Sequence, residues 1–349
     1  MTRLRPTLLC PVCAKDLTHP ATGADVDGWR CANCGFCAPG NATYAELISP
    51  KGDPTANHYS LQWGGKLGFL DFIQNNPAAK TATPGSRLGW PALFKEIREH
   101  AAKEPIWVYD AACGFGGIAD ELINERTADQ LIYVGADIHS ALEIVRQKVA
   151  DFDRCGLMIR WDITQPLPVK EQFDFVICRA ALHHTPDPRA SFRSLCASLK
   201  SSGKIAISVY RKKSICREAC DDALRSVISK MPEEEAFAVC RQFTDLGKAL
   251  QSITEKVRID EDLPLLGIRK GEHNVQELVY YNLLKCFYNA QFGERYSTLV
   301  NYDWYHPEFA CRYELDEVKA WFDENRIELV EAYSIEVQHF LLGRKGPSS

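Results

Sequence analysis

From residue 105 onward, short apolar runs alternate with stretches whose apolar residues recur every three or four positions. That alternation marks a parallel sheet covered by helices on both faces. The runs predict strands at Ile106 to Asp110, Leu131 to Ala136, Leu157 to Trp161, Phe173 to Cys178 and Lys204 to Val209. Between them, Ile118, Ala119, Leu122 and Ile123 fall at helical spacing. Ser140 and Glu143 read as a capping box opening a helix through Val149, and Phe192, Leu195, Cys196 and Leu199 stripe another. Val318, Trp321 and Phe322 mark a late helix, followed by two closing strands, Ile327 to Tyr333 and Val337 to Leu342. The pattern is that of a doubly wound α/β domain. Residues 211 to 311 interrupt it with helical periodicity: Glu218 to Lys230, Glu233 to Gln242, Thr244 to Thr254 and Gln276 to Gln291. The expected organisation is an amino-terminal module over 1–48, a helical roof segment over 57–104, a sheet domain over 105–210 and 312–345, and a helical cap over 211–311.

The amino-terminal module has little apolar periodicity and instead carries five cysteines between residues 10 and 37. Cys10-Pro-Val-Cys13 and Cys31-Ala-Asn-Cys34 form two C-x2-C knuckles separated by seventeen residues, the spacing of a four-cysteine zinc ribbon. Two residues between thiolates let one tight turn aim both sulfurs at a single ion, and two turns complete a tetrahedron. Gly35 follows the second knuckle, where a left-handed residue is often needed. A bound Zn2+ would replace the core that so short a segment cannot build. Cys37 and His19 are the competing ligands, and iron–sulfur or redox chemistry is the competing use. With four thiolates and no open position, such an ion is structural; Trp29, Arg30 and Phe36 are the ribbon's candidates for surface recognition.

Composition narrows the picture. A chain of 349 residues predicts two to three domains, and 46% hydrophobic with 25% charged residues excludes a disordered or collagenous chain. The net charge of −5 gives no general attraction to a polyanion, which argues against nucleic acid as partner. No apolar run approaches the ~18 residues of a transmembrane span, and no signal peptide is apparent, so a cytoplasmic location is expected. The nine cysteines outside the ribbon are expected to be reduced core thiols.

In a doubly wound sheet, ligands lie beyond the carboxyl ends of the strands. The first strand runs into Asp110-Ala-Ala-Cys-Gly114-Phe-Gly116-Gly117, a glycine-rich turn into a helix where backbone can approach a ligand closely and which alone would suit a dinucleotide. Asp137 ends the second strand, 21 residues past Gly116, where an acid holds ribose hydroxyls. Asp162 follows the third strand, and Leu182-His183-His184 follows the fourth. Any one of these acids is explained as a solvated loop carboxylate or a helix cap; their shared place at strand ends argues for a ligand.

Taken together these segments resemble the class I S-adenosylmethionine-dependent methyltransferases. Val108 to Gly116 looks like their first motif, Val134 to Ile138 like the second, Trp161-Asp162-Ile163 like the adenine-contacting turn, and Phe173 to Cys178 with Leu182-His-His and Asp187-Pro188 like the fourth. The resemblance implies a Rossmann-like sheet, mostly parallel with its last strand antiparallel, and S-adenosyl-L-methionine as cofactor. It implies that Asp110, Ala112, Gly114 and Gly116 surround the methionyl end. Asp137 and Ile138 would hold the ribose, Asp162 and Ile163 the adenine, and the Arg179 backbone would lie near the amino group. Ala112 departs from the family, which usually has glycine there. A ribbon ahead of this fold is similar in architecture to the zinc-containing ribosomal RNA guanine methyltransferases, but these have no obvious counterpart to residues 211 to 311.

A hundred helical residues over the carboxyl edge of the sheet would enclose the acceptor, so a capped small-molecule site is expected. Asn301-Tyr-Asp-Trp-Tyr-His-Pro307 reads as an aromatic turn offering Asp303, Tyr305 and His306, or as ordinary packing. Arg211-Lys-Lys213 reads as a solvated helix start. Displacement at a sulfonium methyl requires a positioned nucleophile and a base for its proton, so His183, His184 and His306 are the candidate bases, with Asp303 and Tyr305 as alternatives. Leu-His-His is also a common conformational element of the resembled family. Methyl transfer to an oxygen, and secondarily a nitrogen, of a metabolite leads; RNA base methylation and a noncatalytic cofactor-binding scaffold are the alternatives.

Overall fold

A computed structural model describes residues 4–19, 28–48, 53–63, 88–124, 127 and 129–347. The 64–87 part of the expected roof lies outside the described residues.

In the amino-terminal module, β1 (Trp29–Arg30) pairs antiparallel with β2 (Cys37–Ala38), and β3 (Gly40–Asn41) with β4 (Tyr44–Glu46). Two helices follow, α1 (Pro54–Trp63) and α2 (Trp90–Ala101). The sheet domain then runs β5 (Ile106–Ala111), α3 (Gly117–Leu122), β6 (Leu131–Asp137), α4 (Leu142–Lys148), α5 (Phe152–Cys155), β7 (Gly156–Arg160), β8 (Phe173–Arg179), α6 (Pro188–Ala197) and β9 (Leu199–Tyr210). The cap holds α7 (Ile215–Ile228), α8 (Glu233–Gln251), a hairpin of β10 (Lys256–Ile259) and β11 (Gly271–Asn274), α9 (Val275–Asn282) and α10 (Gly293–Tyr305). Then α11 (Leu315–Glu324), β12 (Ile327–Ser334) and β13 (Gln338–Lys345) close the chain's last sheet contacts.

One sheet gathers nine strands in the order β12-β13-β9-β8-β5-β6-β7-β4-β3. From β9 to β4 the neighbours are parallel, while β13 runs antiparallel to β9 and to β12. The five expected central strands are present to within a residue or two, except that β9 begins five residues early across a register shift at Phe173/Phe175. Alternate residues of β5 divide between two apolar layers: Ile106 and Val108 pack with α2, α3 and α4, whereas Trp107 and Tyr109 pack with α6 and α11. Leu8, Leu17 and Trp29 of the amino-terminal module join this second layer. That module therefore adds a strand to the sheet edge, Tyr44 pairing with Met158, rather than standing apart. Its own apolar residues are too few to bury one another, so they share the sheet's cover.

Several expected elements differ. Ser140 and Glu143 make no capping box. The Glu143 carboxylate pairs with Arg146 (2.9 Å), the Ser140 amide donates to Ser60 Oγ (3.0 Å), and the helix starts uncapped at Leu142. A working capping box opens α11 instead, between Glu314 and Glu317. The two helices expected over 233–254 are one, and Gly247 within it lets α8 approach the Cys286 carbonyl, where a Cβ would stand 2.2 Å away. The helix expected to run to Gln291 stops at Asn282. Beyond it, the Phe287 amide and carbonyl both turn to the Asn301 side chain (2.8 and 3.0 Å), and the Asn289 amide to Ser297 Oγ (3.1 Å). The Asn301 and Ser297 side chains sit on α10, and the segment read as an aromatic turn is mostly helix.

Candidate active site at the strand ends

Both cysteine knuckles repeat one hydrogen-bond pattern. The Cys10 amide donates to Lys15 O and the Ala14 amide to Cys10 O; the Cys31 amide donates to Phe36 O and the Gly35 amide to Cys31 O. Ala14 (φ 56°) and Gly35 (φ 76°) occupy the same left-handed position in the two turns. The four sulfurs of Cys10, Cys13, Cys31 and Cys34 lie within 4.8 Å of one another, and Cys10–Cys34 and Cys13–Cys31 are 3.5 Å apart. A tetrahedral ion with ligands at ~2.3 Å requires sulfur separations of about 3.8 Å, so this donor set fits Zn2+. Cys37 points elsewhere, its thiol toward the Gly35 carbonyl (3.4 Å), and His19 packs edge-on against Trp29. Trp29 is interior, its indole N–H donating to the Tyr44 carbonyl (3.0 Å), which removes it from the surface candidates.

At the end of β5 the chain turns through Ala112 (φ 58°), Gly114 (φ 52°) and Gly116 (φ 79°). The left-handed region is open to glycine and costs an alanine roughly 1–2 kcal/mol, so Ala112 carries backbone strain where the resembled family has glycine. A Cβ on Gly116 would stand 2.6 Å from Val145, which is why only glycine lets α4 lie against this loop. Asp137 holds the loop: one carboxylate oxygen accepts the Gly114 amide (2.8 Å), the other the His139 amide (3.3 Å). His139 accepts the Ala141 amide on Nδ1 (3.0 Å) and therefore donates from Nε2 to the Gly114 carbonyl (2.9 Å). This fully buried imidazole was missed in the sequence, although its place two residues past a strand-end acid was a readable signal.

Asp110 lies below the loop. Tyr133 donates to its Oδ2 (2.5 Å), while Oδ1 is buried with no partner, as is the hydroxyl of Tyr109 beside it. Burial pushes the Asp110 carboxyl up to about 7, opposed by the Tyr133 hydrogen bond and by Arg179, whose guanidinium stacks 5.8 Å from the Trp90 ring centre. Asp162 uses one oxygen to close a turn on the Thr164 amide (2.9 Å), Ile163 is buried, and the Ile138 carbonyl accepts from Arg160 (3.2 Å). A further non-glycine residue in the left-handed region, Ala180 (φ 55°), follows β8, so two strained alanines flank the floor of the site just past adjacent strands.

The two adjacent histidines have opposite roles. His183 accepts the Tyr210 amide on Nδ1 (3.2 Å) and stacks on the Tyr210 ring at 3.6 Å, leaving Nε2 as a buried donor without a partner. Its basic nitrogen is already occupied, which removes the means to take a proton. His184 donates from Nδ1 to the Phe309 carbonyl (2.7 Å), so its Nε2 keeps a lone pair. Burial holds the His184 imidazole below its usual range, and the charge of Asp303 partly offsets this.

Asp303 accepts from the Tyr210 hydroxyl (3.2 Å). His306 donates from Nε2 to the Met231 carbonyl (3.2 Å), and its Nδ1 receives the Nδ1–H of His58 (3.0 Å), so its lone pair is also spent. The Tyr305 hydroxyl, in the cap core, donates to the Lys285 carbonyl (2.9 Å) and sits 3.3 Å from Asp221. Neither group is presented as a base. Tyr59, on α1, packs edge-on to His184 (5.6 Å between ring centres) and feels the charges of both Asp137 and Asp303, with its buried hydroxyl unpartnered. Tyr59 and Tyr210 were both overlooked in the sequence. Tyr210 ends the fifth strand and the strand-end rule would have found it; nothing local to Tyr59 reveals its position.

Residues 109–205 match the family model described as a methyltransferase domain. No curated protein matches the chain. Among solved structures, it is similar to magnesium protoporphyrin IX methyltransferase from Synechocystis PCC 6803, solved with bound SAM. That match has 10% identity over 86% of this chain and 100% of that one, with a TM-score of 0.43. It is also similar to 1,6-didemethyltoxoflavin-N1-methyltransferase from Burkholderia thailandensis, with 12% identity, 86% and 94% coverage, and a TM-score of 0.41. Among the described residues no helix is long and apolar enough to cross a membrane.

Proposed function

We propose that this methyltransferase draws its methyl group from S-adenosyl-L-methionine and delivers it to an oxygen, or secondarily a nitrogen, of a small molecule held between the strand ends and the helical cap. The observation that carries this reading is the set of unsatisfied polar atoms on both sides of the strand ends: Asp110 Oδ1 and the Tyr109 hydroxyl below the glycine loop, the Tyr59 hydroxyl and His183 Nε2 under the cap. Buried polar atoms without partners are rare in a folded chain, and a ligand seated at the strand ends would supply partners for these four.

The residues fit the cofactor. Asp110 would receive the ammonium of its methionyl end, and Asp137, whose two oxygens each keep a lone pair after serving the loop, would take ribose hydroxyls. Asp162 retains one oxygen and Ile163 an apolar face for the adenine. The bound cofactor supplies a methyl group on a sulfonium, ready for in-line displacement. His184 then serves as the base, accepting the acceptor's proton on Nε2 while Phe309 O holds Nδ1–H, with Asp303 stabilising the imidazolium. His183 fixes Tyr210, and α1 with Tyr59 keeps water from the reacting atoms. Cys10, Cys13, Cys31 and Cys34 would hold a structural Zn2+ with no role in the reaction.

The test combines methyl-labelled cofactor with a small-metabolite extract and, separately, with total RNA. Label is expected in the small-molecule fraction; label in RNA would overturn the acceptor class. With the acceptor in hand, His184→Ala should lower kcat by a factor of about 10² or more, with recovery toward high pH and S-adenosylhomocysteine affinity unchanged. Normal turnover in that variant removes His184 as base.

A further inference from the structure

Three guanidinium or ammonium groups surround the Trp304 ring: Arg217 at 5.6 Å, Arg312 at 6.0 Å and Lys285 at 4.5 Å from its centre. Two are balanced. Arg217 pairs with Asp221 (2.7 Å), and Arg312 with Glu218 (2.5 Å) and Asp222. Lys285 is not: only 7% of the residue is exposed, its ammonium lies over the Trp304 ring, and among the described residues it makes no ion pair. At its base the backbone is anchored, the Lys285 carbonyl accepting from the Tyr305 hydroxyl at 2.9 Å.

Neither nearby acid forms an ion pair with it. Asp221 already receives Arg217 and the Trp304 indole (2.9 Å), and Asp303 receives Tyr210. An ammonium with no ion-pair partner is costly to bury, and burial holds Lys285 down to about 7, partly offset by the charges of Asp303 and Asp221. The position of the orphan cation is informative. Trp304 packs on Tyr210 (4.7 Å), and Tyr210 packs edge-on to His184 (5.4 Å). One aromatic wall thus runs from the ammonium to the base, and the charge of Lys285 is felt at His184.

We propose that Lys285 anchors an anionic group of the acceptor, a carboxylate in the first place, with the acceptor's planar body against Trp304 and Tyr210 and its reacting atom toward His184. This rests on reading the strand-end site as that of a small-molecule methyltransferase, and it names the acceptor class as aromatic or conjugated acids. Lys285 is then a specificity-determining residue. A carboxylate entering the cap supplies the counter-charge that keeps this ammonium protonated, whereas the matching amide supplies none.

The experiment uses the full, zinc-loaded chain as wild type, Lys285→Met and Lys285→Arg. Binding of S-adenosylhomocysteine to each is measured first, then thermal shifts and calorimetric affinities for benzoate against benzamide and 4-hydroxycinnamate against its amide, with and without S-adenosylhomocysteine. The wild type should prefer the acids by tenfold or more, Lys285→Arg should keep that preference, and Lys285→Met should lose it. Met preserves the bulk and removes an unpaired buried charge, so its melting temperature should equal or exceed that of the wild type. Equal affinity for acid and amide in the wild type, including no measurable affinity for either, overturns the proposal. So does an acid preference surviving in Lys285→Met, or one lost equally in Lys285→Arg. Failure of the methyltransferase reading is separate: it appears as absent S-adenosylhomocysteine binding, while the acid preference is still read without it.

Discussion

Asp110 and the paired histidines show what single residues contribute. A carboxyl held at about 7, against an ordinary 3.8, binds its proton more tightly in the folded chain than in the unfolded one. The sign follows from linkage: without ligand, the contribution of Asp110 to stability is fully present below about pH 4 and is lost as pH rises through 7. Asp110→Asn should therefore raise the melting temperature at pH 8, by the equivalent of on the order of 2–4 kcal/mol, and leave it near wild type at pH 4. The same change should abolish stabilisation by S-adenosylhomocysteine. Unchanged pH dependence between 4 and 7 in parallel melts of the two proteins would place the proton elsewhere. Asp110, Asp137 and Asp162 were legible in the sequence because the strand pattern alone puts them at one edge. The division of labour between His183 and His184 was not. It is decided by the Tyr210 amide and by the Phe309 carbonyl, 125 residues away, and no local pattern encodes either contact.

Elements divide by how far their partners lie in sequence. The strands of the sheet were readable because an apolar run between turn signals suffices to specify a strand buried on both faces. Within the cap, periodicity located α7 and most of α8, yet α9 ended early and the last turn of α10, from Asn301, was taken for an aromatic turn. In both cases side chains of α10 replace backbone partners, Asn301 above all. The cap is held internally by the buried Arg217–Asp221 pair, which Trp304, Tyr305 and the Tyr280 carbonyl complete. Breaking a completed buried pair leaves one charge stranded, at a cost of roughly 3–5 kcal/mol. Asp221→Ala should thus open α7 and α10 to amide exchange while β5 to β9 stay protected and S-adenosylhomocysteine still binds. Protection of α10 at wild-type level in that variant would show the pair to be dispensable.

At the scale of the whole molecule, the cysteine module and the sheet are mechanically one body, joined by the pairing of β4 with β7 and by Leu8 against Val169. Purified protein should carry about one zinc per chain, and Cys31→Ser should release it. The loss should reach past the module: faster amide exchange is expected at Met158 to Arg160 in β7, but not at Ile205 to Ile207 in β9. Exchange confined to residues before 49 would make the shared edge incidental. That edge also sets an order of events during synthesis. Residues 44 to 46 leave the ribosome 114 residues ahead of the stretch around Met158 with which they pair. At ~5–20 residues per second the nascent module waits roughly 6 to 23 s with an open strand. A strand of three residues, ending in Glu46, is short and charged enough to refuse most wrong neighbours in that interval. Metal uptake in that interval would therefore give the growing sheet a finished border to fold against before its central strands exist.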